Sequence, residues 1–199
     1  MQAFTCVAAS LVLSTVSSAN RHCGSGATAA SFDYEPDAWK VIQQSEPKFH
    51  LMFLSRNTLR DTKYKCLATS RTDQISDKKW QRKLFYSTFS NDTELTLSTT
   101  LGIKKRRKCS IYDDAITVWN DNGLKAAAWT SEVIYADHRY CILLKSKYLG
   151  YEVWAATIYL EEHKEIPYIC VMLYEIYSGI KKYWVYDWED CPSRRKKTE

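Results

Sequence analysis

Glu152 and Trp154 stand two residues apart in the run Gly150-Tyr151-Glu152-Val153-Trp154-Ala155-Ala156, which is otherwise apolar and strand-like. Strand side chains alternate, so Glu152, Trp154 and Ala156 share one face, and Tyr151, Val153 and Ala155 share the other. A carboxylate on an inward face is costly to bury without a partner. A ligand ammonium or imidazolium would supply one, and aromatic walls would add cation–π attraction. Trp154 is the nearest such wall, and Trp129 and Trp119, on other strands, are candidates for the same box. The alternative needs no ligand: an internal Lys or Arg, or the hydroxyl of one of the 14 tyrosines, would satisfy Glu152 instead.

Other chemistries find little support. The four histidines, His22, His50, His138 and His163, are scattered, and Glu161-Glu162-His163 reads as a charged loop after a strand. No G-x-S-x-G, H-E-x-x-H, P-loop or Cys/His nucleophile pattern occurs, so no catalytic residue is assigned and an enzyme is not expected. The cysteines lack the close C-x-x-C spacing of a zinc site, so no metal and no cofactor are expected.

The cysteines fit another use. Residues 1–19 carry no charge, and their apolar middle ends in Ser17-Ser18-Ala19, the pattern of a secretory signal peptide. No later stretch approaches a membrane-spanning length. Cleavage removes Cys6 and leaves Cys23, Cys66, Cys109, Cys141, Cys170 and Cys191, an even set that reads as a disulfide framework whose pairing the sequence leaves open. Secretion makes the sequon at Asn91 a usable glycosylation site and excludes nucleic acid as a partner. The net charge of +5 is concentrated in Lys104 to Lys108 and in the tail from Arg194. The first block reads most simply as a solvated hairpin end, with weak contact to acidic glycans or a membrane surface as the alternative.

The elements that must position these residues are mostly strands. Residues 20–34 are small and polar and read as a flexible lead segment, residues 35–193 as one domain, and 194–199 as a basic tail. Glu35 to Ile42 reads as a short helix with Pro36 at its first position. Strands are expected at 49–54, 64–69, 84–89, 94–98, 115–119, 125–135, 139–145 and 151–160, with Asn120-Asp121-Asn122-Gly123 as the clearest hairpin turn. Ile169, Met172, Leu173 and Ile176 then recur at helical spacing, with Pro167 before and Gly179 after them. Eight short strands with a helix near each end predict an all-β fold: an eight-stranded antiparallel barrel with a short N-terminal helix and a C-terminal helix packed outside.

In that order, Asp37-Ala38-Trp39-Lys40, Tyr151-Glu152-Val153-Trp154, Ile166-Pro167 with Cys170, and a closing Cys191 resemble the tick salivary lipocalins, in particular the histamine-binding proteins. The resemblance covers nearly all of the chain after the signal. It implies a lipocalin barrel, secreted in saliva, that sequesters a small host mediator as a monomer. It implies bridges Cys66–Cys191 and Cys141–Cys170, leaving Cys23 and Cys109 to each other. It also places Glu152 against a cationic ligand, histamine or a related amine.

The rest of the family's amine site is poorly matched. Ile142 stands where an acid is expected, Asn57 where an aromatic hydroxyl is, and Ile116 and Val118 where aromatics are. Thr99 and Thr100 replace a carboxylate, and Asp61 is only a loosely aligned substitute for another. Two alternatives follow: a more apolar pocket for a fatty acid or leukotriene, or a filled barrel that binds proteins through its loops.

Overall fold

The computed structural model describes residues 36–43, 48–59, 64–88, 91–105, 112–120 and 129–194, and at 71, 72, 91, 92, 120, 193 and 194 the backbone alone. The signal peptide, lead segment, Cys23, Asp61, Cys109, the Asn-Gly turn, the Asn91 side chain and residues 195–199 lie outside the described set.

Helix α1 (Ala38–Gln43) is followed by strands β1 (Phe49–Leu54), β2 (Tyr64–Ser76), β3 (Lys79–Thr88), β4 (Asn91–Lys104), β5 (Ala115–Asn120), β6 (Trp129–Ala136), β7 (Cys141–Ser146) and β8 (Gly150–Ala156). Then come α2 (Thr157–His163), α3 (Tyr168–Ser178), β9 (Tyr183–Trp184) and α4 (Asp190–Arg194). Strands β1 to β8 pair in sequence, all antiparallel, and β8 returns to β1, closing the barrel. β1 pairs with β2 at its start, through Phe49↔Thr69 and His50↔Ala68, and with β9 at its end, through Phe53↔Trp184 and Leu54↔Tyr183.

The described residues form two hydrophobic cores. Inside the barrel, Phe49, Leu51, Leu54, Ile116, Val118, Ile142 and Trp154 pack together under α1. Outside it, Phe53, Leu143, Val153 and Ala155 pack against Cys170, Leu173 and Tyr174 of α3. A bulge between Leu51 and Phe53 shifts the alternation of β1, which turns Phe53 outward while Leu54 stays in. β8 is covered on both faces, which is why its sequence reads as apolar nearly throughout.

Three local expectations need correction. α1 begins at Ala38, because Asp37 caps it: the Asp37 carboxylate accepts from the amides of Trp39 (3.0 Å) and Lys40 (3.2 Å). The stretch read as the end of a strand at 157–160 is helix α2, and Glu161-Glu162-His163 is its last turn rather than a loop. Thr157 donates to the Lys48 carbonyl through both its amide (2.8 Å) and its hydroxyl (2.7 Å), which ends the strand there. In α3 the buried face is Cys170, Leu173 and Tyr174, and Ile176 is 62% exposed. The bridge Cys141–Cys170 (Cα–Cα 6.4 Å) and the Tyr174 ring against Phe53 (4.8 Å) set that rotation. Cys66–Cys191 (Cα–Cα 5.3 Å) joins β2 to α4, so both pairings implied by the resemblance are present.

Candidate ligand-binding site

The interior core is not filled completely. A cavity of about 130 Å³ remains inside the barrel, with Val41 and Ile42 of α1 among its lining residues. Its wall is mostly apolar, with Leu67, Leu84, Ile116, Val118, Ile142 and Leu144 contributing from four strands. Of the departures noted in the sequence, Ile116, Val118, Ile142 and Thr99 line it, whereas Thr100 does not and Asn57 lines a separate hollow beside Trp184.

Glu152 lies in this wall and is 3% exposed. The Trp154 indole Nε1 donates to its Oε2 at 3.2 Å, while Oε1 is buried with no partner of hydrogen-bonding geometry. This explains the pair in one strand face: the indole satisfies one carboxylate oxygen, and the other stays buried without a hydrogen-bonding partner. Burial raises the carboxyl pKa from 4.5 to about 7. The nearby Ser146 hydroxyl and the Trp154 indole offset only part of that rise. A group poised between its charge states in an apolar cavity is a site signal, and a cation beside Oε1 would favour the ionised form.

The other sequence candidates divide. Trp129 and Trp154 line the same cavity as Glu152. Trp119 does not: β5 turns Ile116 and Val118 inward, so Trp119 lies on the outer surface of the barrel. There its ring covers Gly102, where an added Cβ would stand 2.7 Å from it, and Lys79 Nζ sits 5.2 Å from its centroid. Arg82 was missed by sequence reasoning. It lines the cavity at 4% exposure, and donates from Nε to Thr69 Oγ1 (3.1 Å) and from a terminal nitrogen to the Ile42 carbonyl (3.3 Å). The signal was present in the alternation Trp80, Arg82, Leu84, which puts the arginine on the apolar face of β3. Among the described residues, no group of three or more His, Cys, Asp or Glu could hold a metal, and no helix is long and apolar enough to cross a membrane.

The family model described as tick histamine binding protein matches residues 27–193. The chain belongs to the tick histamine-binding protein family. No curated protein matches it significantly. Among solved structures, the AM182–serotonin complex is similar at a TM-score of 0.54 and 16% identity, over 78% of this chain and 92% of that one. Apocrustacyanin C2 is similar at a TM-score of 0.52 and 12% identity, over 78% and 84%. These likenesses carry the fold alone, and they make it a lipocalin barrel. Among the described lining residues of the barrel cavity, Glu152 is the one carboxylate.

Proposed function

We propose that the chain is a secreted, monomeric scavenger that binds a small cationic amine, histamine or a close relative, inside its barrel. The observation that carries this reading is Glu152, a buried carboxylate facing the cavity with Oε1 unpartnered. The ligand's ammonium or imidazolium would pair with Oε1, and the Trp129 and Trp154 rings would flank it. Size supports the same class, since a cavity of about 130 Å³ is comparable with the ~150 Å³ cavities that hold one benzene-sized ring. Drug-sized ligands use pockets of roughly 300 Å³ and more. A fatty acid or leukotriene would find a counter-charge in Arg82 but too little room for its chain. A filled barrel acting through its loops is disfavoured by the cavity itself.

The signal peptide over 1–19, release into saliva, glycosylation at Asn91 and a Cys23–Cys109 bridge belong to the same proposal, with the family membership and the two bridges supporting an extracellular chain. The test is calorimetric titration of the oxidised mature chain with histamine. Saturable binding that Glu152→Gln weakens at least a hundredfold is expected, in line with leaving a charged ligand unpaired in an apolar site (about 3 kcal/mol). Absence of heat with histamine and with serotonin overturns the amine reading.

A further inference from the structure

The barrel cavity carries a second buried charge that the amine reading leaves unused. Arg82 of β3 lines the same space of about 130 Å³ as Glu152, and these two are the charged side chains among its described lining residues. Both are almost fully buried, at 4% and 3% exposure. A charge held among apolar groups is costly unless hydrogen-bonded, so a guanidinium at this place needs acceptors. Nε donates to Thr69 Oγ1 at 3.1 Å, and a terminal nitrogen donates to the Ile42 carbonyl at 3.3 Å, which ties α1 to the barrel. Both of these acceptors are neutral, and a guanidinium carries five N–H donors in one plane. It can therefore serve a ligand acceptor alongside them.

Topology sets where the two charges stand. The closed sheet runs β8, β1, β2, β3, so Arg82 lies three strands on from Glu152 and faces it across the lumen. Register separates them further. Glu152 pairs with Leu54 at the end of β1, whereas Arg82 is bonded to Thr69, the partner of Phe49 at its start. The cavity thus has an acid on one wall, a base on the facing wall and a mostly apolar lining for the rest.

This polarity restricts the amine. An α-amino acid, with its ammonium and carboxylate on one carbon, cannot serve both walls at once. A longer amino acid would have to shed the water of its carboxylate into an apolar space, whereas a neutral acceptor sheds far less. A small ring on an ethylamine arm meets both walls if the ring carries an acceptor. We propose that Arg82 is a specificity-determining residue of the amine site, which selects compact ring-bearing ethylamines that present a neutral hydrogen-bond acceptor to Arg82 while the ammonium meets Glu152. The proposal rests on the amine reading and narrows it to ligands whose ring acts as an acceptor, as the unprotonated imidazole nitrogen of histamine does.

The test compares two amines that differ in one ring atom, 4-(2-aminoethyl)pyridine and 2-phenylethylamine, by calorimetric titration of the oxidised full-length chain at pH 8, where the pyridine nitrogen is unprotonated. The wild type should bind the pyridine roughly ten- to hundredfold more tightly, the effect of one hydrogen bond to a charged group. Arg82→Met, which keeps much of the side chain's length, should bring that ratio close to one. Loss of an anchor for α1 alone would weaken both amines alike, and a ratio that the variant leaves unchanged overturns the proposal. Equal binding of the two amines by the wild type also overturns it, with no variant required to fold, and leaves the amine reading intact. Failure of the pyridine to bind overturns it as well; if histamine fails too, the amine reading falls with it.

Discussion

Burial holds the Glu152 carboxyl close to half-protonated at neutral pH, and this has two measurable consequences with opposite signs. Between the ordinary value of 4.5 and the folded value of about 7, the folded chain holds more protons than the unfolded one, so its stability falls as pH rises through that window, by about 3 kcal/mol in all. Denaturant unfolding at pH 5 and pH 8 should show this fall, and Glu152→Gln should largely remove it. Binding of a permanently protonated amine requires the ionised carboxylate, so affinity should rise up to tenfold per pH unit below about 7 and level off above it. Trp154→Phe, which deletes the donor to Oε2, should move that bend to higher pH in calorimetric titrations. At this scale the sequence was readable where alternation could be applied strictly. Glu152 and Trp154 follow from one strand face. Trp119 was read as a wall of the same box, but it stands three residues after Ile116 and one after Val118, which line the cavity, and alternation therefore puts it on the opposite face of the strand. Arg82 escaped notice because a charged residue on an inward face looks like an error in the pattern until its acceptors, Thr69 and Ile42, are seen.

The strands were legible from their apolar alternation and turn residues, and α3 from its proline start and glycine end. The face that α3 buries was not, because several of its faces are apolar and long-range contacts choose among them. That choice can be checked: Leu173→Ala should destabilise the chain by about 2–4 kcal/mol, whereas Ile176→Ala should stay within about 0.5 kcal/mol. The start of α1 was off by two residues for a similar reason, since Pro36 fits the first turn but Asp37 satisfies the amides. Asp37→Ala should cost about 1 kcal/mol, read from the unfolding midpoint. α2 was hidden because Thr157-Ile158-Tyr159-Leu160 has strand composition, and what ends the strand is the Lys48 carbonyl, more than a hundred residues away.

For the whole molecule, closure of the sheet and the two bridges do different work. The sheet closes on itself through β1 and needs no covalent help. Cys66–Cys191 spans 125 residues, so in the chain-entropy account its loss releases about 4–5 kcal/mol worth of unfolded-state freedom. A Cys66→Ala/Cys191→Ala chain should therefore unfold at clearly lower denaturant than one lacking the bridge between Cys141 and Cys170, which spans 29 residues.

β8 is a partition between two compartments. Its odd-numbered side chains from Val153 hold the helix, and its even-numbered ones from Glu152 face the cavity. The same division runs through β7, where Leu143 faces α3 and Ile142 and Leu144 face inward. Mutations can thus rewrite the lining without touching the layer that anchors the helix, and the reverse. Such a wall leaves the lining set by Ile116, Val118 and Ile142 free to change in size and polarity while the layer beneath the helix holds one architecture.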